Sequence, residues 1–120
     1  IGVRAFGTDG AMVARNGLTA MQTHMAAGVL PVIKHFPGHG NGTVDSHERL
    51  PTLLFSEEEL APFAKAVAAG APSVLVSHGY YPKLQDAAGE PGVPASCSPT
   101  ILQGLLRKRL GFDGLVVSDD

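Results

Sequence analysis

The sequence contains a single cysteine, Cys97, which excludes an internal disulfide framework. No apolar run approaches the roughly 20 residues of a membrane span. No basic-then-apolar leader opens the chain. A cationic excess is also missing. Nine Lys and Arg lie scattered against eleven Asp and Glu, for a formal net charge of −2. That balance argues against nucleic acid or an anionic membrane surface as the main partner. Low-complexity segments are absent as well. With 44% apolar and 17% charged residues the chain has a globular composition, not a disordered one. What it holds in quantity is glycine and proline, 15 and 9 of 120 residues.

Three short apolar runs read as buried strands: 30–36 (LPVIKHF), 73–78 (SVLVSH) and 114–119 (GLVVSD). Each is nearly continuous rather than alternating, the pattern of a parallel strand covered on both faces. Helical patterns alternate with them. Asp9 caps a segment reaching about Ala27, with Met12, Val13, Leu18, Met21 and Met25 at helical spacing and Gly28 as the stop. Ser56 and Glu59 form a capping-box pattern ahead of Leu60, Phe63 and Val67, and Gly70 ends that segment. Pro62 is a flaw in it, marking either a split first turn or the true helix start. Ser98-Pro99 then opens a third helix bearing Ile101, Leu102, Leu105, Leu106 and Leu110. The order helix–strand, three times over, predicts an α/β fold built from about three parallel βα units. The links after the first two strands, about 37–55 and 79–97, are long. In such folds the loops beyond strand C-termini build the active site.

Those loops carry the chemistry. Residues 34–47 hold Lys34, His35, His39, His47 and Asp45. Two functional readings fit these side chains. His35, His39, His47 and Asp45 could ligate a metal, since imidazole and carboxylate suit zinc or iron. Alternatively Asp45 orients and charges His47 as an acid–base dyad, while Lys34 and His35 donate hydrogen bonds to a polar substrate. The bland reading is that loop histidines merely hold a glycine-rich turn. The third strand ends in Ser118-Asp119-Asp120, where a carboxylate at a strand end suits a nucleophile, a metal ligand or a general base. His78, after the second strand, either lines the pocket or is a packed, hydrogen-bonded histidine. Arg4 offers a fork for sugar hydroxyls or carboxylates, or a surface salt bridge. Cys97 reads as a small packing residue and His24 as structural.

KHFPGHG (34–40), DSH (45–47) and LP (50–51) together resemble the signature of glycoside hydrolase family 3 β-N-acetylhexosaminidases, the β-N-acetylglucosaminidases of bacterial cell-wall recycling. The resemblance extends to IGVRAFGTD at the start, PASCSPTILQGLLRKRLGFDG, and GLVVSDD at the end. It implies a (β/α)8 TIM barrel of which residues 1–120 are a central part, truncated at both ends. It also implies a retaining mechanism without metal or other cofactor. Asp119 matches the nucleophile, His47 the acid/base and Asp45 its dyad partner; Arg4, Lys34 and His35 match positions that bind the sugar ring. DSH distinguishes this branch from the family's β-glucosidases, which place a glutamate acid elsewhere. Cys97 stands where the family usually has leucine, and Asn41 where aspartate is common.

The implied substrate is a small carbohydrate with terminal β-linked N-acetylglucosamine, a muropeptide or chitooligosaccharide. The resemblance carries a cytoplasmic default, with secretion or a lipoprotein form left open. A phosphorylase of the same family, with phosphate as acceptor, is the nearest alternative; a metal-dependent hydrolase and a non-catalytic sugar-binding remnant are the others. A barrel needs about 250 residues, so three strands alone are expected to expose apolar sheet edges and to be inactive in isolation.

Overall fold

The computed structural model describes residues 4–40 and 50–119. Three helix–strand pairs follow one another: α1 (Gly10–Ala26) and β1 (Val32–Phe36), α2 (Glu57–Ala68) and β2 (Ser73–Val76), then α4 (Thr100–Arg109) and β3 (Leu115–Ser118). A short helix, α3 (Pro82–Gln85), and 3-10 turns at Asp86–Ala88 and Ala95–Cys97 occupy the long link after β2. The strands form one parallel sheet in the order β1-β2-β3. The α/β fold expected from the alternating pattern is the fold observed.

Local chemistry explains the helix boundaries. The Asp9 side chain accepts the Met12 N–H at 2.9 Å, and Ser56 Oγ accepts that of Glu59 at 3.2 Å. Each satisfies one of the orphan donors at a helix start. Ser98 Oγ accepts the Ile101 N–H at 3.1 Å, with Pro99 already in helical geometry. All three helices turn into the following strand through a left-handed glycine, Gly28, Gly70 and Gly111 (φ 76°, 85° and 69°). Pro62 lies inside α2 and does not split it; the helix begins at Glu57, directly after its serine cap. Proline there removes a single intrahelical donor, and the apolar face behind it holds the helix in place.

The third helix departs from expectation. Thr100–Arg109 is a π-helix, and its last turn is closed by Leu110 N–H to Leu105 C=O at 3.0 Å. Burial follows that winding. Ile101, Leu105 and Leu106 are buried and Leu110 half-buried. At about 4.4 residues per turn these positions, with Leu102 that also packs on the core, fall on a stripe about 115° wide, against about 180° at α-helical pitch. The wider period brings them together on the core side.

Beta2 is the buried centre. Ser73, Val74 and Val76 are each no more than 1% exposed. Cover on both faces was expected of all three strands, but Val32 and Leu115, on the outer two, are 44% and 59% exposed. Both are the first residues of their strands, and face cover fails at these N-terminal ends while Phe36 at the other end of β1 is buried. Phe36 and Val76, the last residues of β1 and β2, are fully buried, and Phe36 packs edge-on to Phe63 at 5.4 Å. Burial of about 1.5–3 kcal/mol per such side chain anchors both strand ends. Cys97, expected to pack inside, is exposed, because its 3-10 turn buries Ala95 instead.

Arg107 closes the turn into β3. Its Nη1 donates to the carbonyls of Phe112 (2.9 Å) and Gly114 (2.8 Å), and its guanidinium lies 5.1 Å over the Phe112 ring. Arg107→Ala leaves both carbonyls without this donor. It should destabilise the intact protein carrying this domain by about 1–3 kcal/mol in chemical denaturation, with Arg107→Lys recovering part of the loss.

Candidate active site

The C-terminal ends of the three strands meet at one level. Beyond the ladder proper, Ser77 N–H donates to Phe36 C=O at 3.0 Å and Asp119 N–H to Val76 C=O at 3.3 Å. His35, Ser77-His78 and Asp119 are therefore neighbours by register. His35 Nε2 stands 3.9 Å from Asp119 Oδ2, and both side chains are largely shielded from solvent. His78 Nε2 lies 3.0 Å from the Asp119 carbonyl and its Nδ1 2.6 Å from Ser96 Oγ.

On the other side of β1, a cleft of about 880 Å³ opens between the strand and α1. Arg4, Lys34, His35, His39 and Glu59 line its polar part. His35 thus faces both the cleft and the Asp119 carboxylate. The His39 ring lies 5.5 Å from that of His35, tilted by 59°. The turn between the two histidines fits tightly. Gly38 has φ 143°, and a Cβ there would come within 3.0 Å of Glu59 Cβ. Tyr81, buried, donates its hydroxyl to the Gly38 carbonyl and is 3.0 Å from Ser77 Oγ. Burial pushes the Tyr81 phenol above its ordinary value.

Burial also depresses the pKa of His35 below its ordinary 6.5, reinforced by Lys34 and, more weakly, by His39 and Arg4; the Asp119 carboxylate pulls the other way. Near neutral pH the His35 ring is therefore uncharged. Its contact with Asp119 is dipolar, and the carboxylate is not neutralised by an imidazolium. Its Nδ1 is buried with no hydrogen-bond partner among the described residues.

All 120 residues match the model of the glycosyl hydrolase family 3 N-terminal domain. The chain belongs to this family. It is 41% identical over 125 residues to a beta-hexosaminidase of Xylella fastidiosa (strain 9a5c), covering 100% of this chain and 36% of that protein. A family 3 beta-N-acetylglucosaminidase from Paenibacillus sp. str. FPU-7 is 42% identical with a TM-score of 0.92, over 99% of this chain and 23% of the other. NagZ from Neisseria gonorrhoeae, solved in complex with N-trifluoroacetyl-D-glucosamine, is 34% identical with a TM-score of 0.88, over 100% of this chain and 35% of the other. The family 3 chain thus spans about a third of the Xylella relative.

Of the residues singled out in the sequence, the structure gathers Arg4, Lys34 and His35 at one cleft, and His35 and His78 meet Asp119 at the strand ends. Asp45, His47 and Asp120 lie outside the described residues. Among the described residues no three His, Cys, Asp or Glu side chains gather as metal ligands would. His24, read as structural, has Nδ1 2.7 Å from the Ala20 carbonyl on its own helix. His78 is hydrogen-bonded through both ring nitrogens, the packed alternative of its two readings. Sequence reasoning missed Tyr81, Ser96 and Glu59. Tyr81 and Gly38 are 43 positions apart and His78 and Ser96 18, so no local spacing marks either pair.

An NMR titration should place the His35 midpoint below 6.5. Asp119→Asn should lower it further, because the carboxylate is the neighbour that raises it. Since the unfolded state binds this proton more readily, His35 should favour folding above pH 6.5 and cost stability as the pH falls below it. A midpoint above 6.5 would contradict the burial argument.

Proposed function

We propose that this chain carries the catalytic centre of a retaining β-N-acetylglucosaminidase, cleaving terminal β-linked N-acetylglucosamine from peptidoglycan fragments or chitooligosaccharides. The observation that carries this reading is the Asp119 carboxylate at the end of β3, 3.9 Å from His35 Nε2. The same His35 lines a cleft together with Arg4 and Lys34. Family membership and the N-acetylglucosamine analogue bound to the gonococcal relative support the substrate class. We read the three βα units as the central part of a (β/α)8 barrel.

In this reading Arg4, Lys34 and His35 hold the sugar ring with its anomeric carbon over Asp119. The Asp119 carboxylate attacks that carbon as the glycosidic C–O bond breaks, and the His47 imidazolium gives its proton to the departing oxygen. The product is a glycosyl ester on Asp119. His47, now neutral, takes a proton from water, which attacks the anomeric carbon and restores the free carboxylate with net retention. Asp45 favours the charged form of His47 at the start of the cycle. Negative charge beneath the ring also stabilises the oxocarbenium-like transition state. Most retaining glycosidases give the acid role to a second carboxylate; here DSH supplies a histidine.

In the intact protein carrying this domain, Asp119→Ala should lower kcat by more than about 10³-fold. Mass spectrometry with a slow substrate should place the sugar on Asp119 in the unmodified protein; an adduct on another carboxylate would refute the assignment. Products are to be compared with and without inorganic phosphate. Free N-acetylglucosamine supports hydrolysis, and sugar-1-phosphate as the main product would replace it with phosphorolysis.

His47→Ala should slow substrates with poor leaving groups by about 10²–10⁴-fold, and activated aryl glycosides far less in the bond-breaking step. Equal losses on both would count against the acid role.

A further inference from the structure

We propose that His78 is a positioning residue that fixes the direction of the Asp119 carboxylate, with Ser96 setting its ring; this rests on the reading of Asp119 as nucleophile. The direction of the Asp119 side chain follows from its two flanking peptides. One is held by the ladder, through Asp119 N–H to Val76 C=O at 3.3 Å. The other is held by a side chain, through His78 Nε2 at 3.0 Å from the Asp119 carbonyl oxygen. In a continuing parallel ladder that carbonyl would accept the backbone N–H of residue 78, the next rung. The imidazole of the same residue takes that acceptor, just where the chain leaves the sheet for the link at Gly79.

The hydrogen-bond chemistry assigns the tautomer. A carbonyl oxygen only accepts, so His78 Nε2 carries the proton. In the neutral ring Nδ1 is then an acceptor, and the Ser96 hydroxyl at 2.6 Å donates to it. Ser96 is placed in turn by its own N–H, which donates to Ser77 C=O at 3.1 Å, and by Ala95 N–H to Gly79 C=O at 2.8 Å. The 3-10 turn 95–97 therefore sets the imidazole against β3 from the far end of the link. Both ring nitrogens are engaged with protein atoms, Ser96 on one side and the Asp119 carbonyl on the other, which leaves the ring placed to hold the nucleophile's backbone.

Misplacing a reacting group by about 1 Å can cost 10²-fold in rate. The test uses the intact protein carrying this domain with an activated aryl β-N-acetylglucosaminide, measuring kcat, KM and the rate at which sugar accumulates on Asp119. His78→Ala should lower kcat and the labelling rate by about 10–100-fold with KM changed less than about threefold. His78→Gln, whose amide N–H₂ reaches the position of Nε2, should recover most of that loss. Ser96→Ala, which leaves His78 in place, should lower the labelling rate several-fold and keeps the idea testable if His78→Ala does not fold. A raised KM with unchanged kcat would make His78 a substrate contact and overturn the proposal, as would equal losses in the Ala and Gln variants or an unchanged labelling rate in both His78→Ala and Ser96→Ala. Labelling of the unsubstituted protein on another carboxylate would overturn the nucleophile reading itself. Normal labelling of Asp119 with insensitivity to His78 overturns the positioning role alone.

Discussion

Everything at this site hangs on β2, a strand of four residues flanked by parallel neighbours on both sides. Backbone pairing runs just past the ladder, through Ser77 N–H to Phe36 C=O and Asp119 N–H to Val76 C=O. Two side chains extend the order by one more level. Ser77 reaches Gly38 through the Tyr81 hydroxyl, tying down the turn that follows β1. His78 reaches the Asp119 carbonyl, tying down the end of β3. One dipeptide on the central strand thus holds a residue from each neighbour, and the buried ends of β1 and β2 at Phe36 and Val76 keep the dipeptide itself in place.

That arrangement sets the electrostatics. His35 sits where β1 meets the turn, shielded enough that burial outweighs the pull of Asp119, and Lys34 and Arg4 add to the effect. A protonated His35 would form an ion pair with the carboxylate and lower its nucleophilicity. The neutral ring leaves the charge on Asp119 and keeps a donor or acceptor within 3.9 Å of it. Arg4 and Lys34 line the cleft together with Asp9, Glu58 and Glu59. The close approach of Gly38 to Glu59 belongs to the same geometry, because a Cβ at Gly38 would press on the Glu59 side chain at about 3.0 Å.

Much of this was legible in the residues. The three apolar runs gave the strands to within two residues, and Asp9, Ser56 and Ser98 cap as their chemistry requires. The placement of Asp119, Lys34 and His35 at strand ends followed from the strands. What escaped depends on partners far along the chain. The hydroxyl of Tyr81 finds Gly38 and the imidazole of His78 finds Ser96 only after the sheet and both long links are in place. Exposure of Val32 and Leu115 is likewise a property of neighbours, not of the strands' own apolar character. The π winding of Thr100–Arg109 was encoded in the 101, 105, 106, 110 spacing, but that spacing overlaps an amphipathic α-helix closely enough to be taken for one.

The histidines of the 34–47 stretch take different parts in the proposed chemistry. Groups whose environments drive their protonation apart are the ones that divide acid and base roles. His35 is held neutral by burial and by the cations around it. In the proposed mechanism Asp45, two positions before His47 in the sequence, is the carboxylate that favours the charged form of His47. A second carboxylate as acid would have to be kept protonated near pH 7 by the charge of the nucleophile, coupling the two groups through every step of the cycle. A histidine has its proton available near pH 7 without that coupling. In the proposed mechanism the proton then comes from His47, while the Asp119 backbone is held by the end of β2.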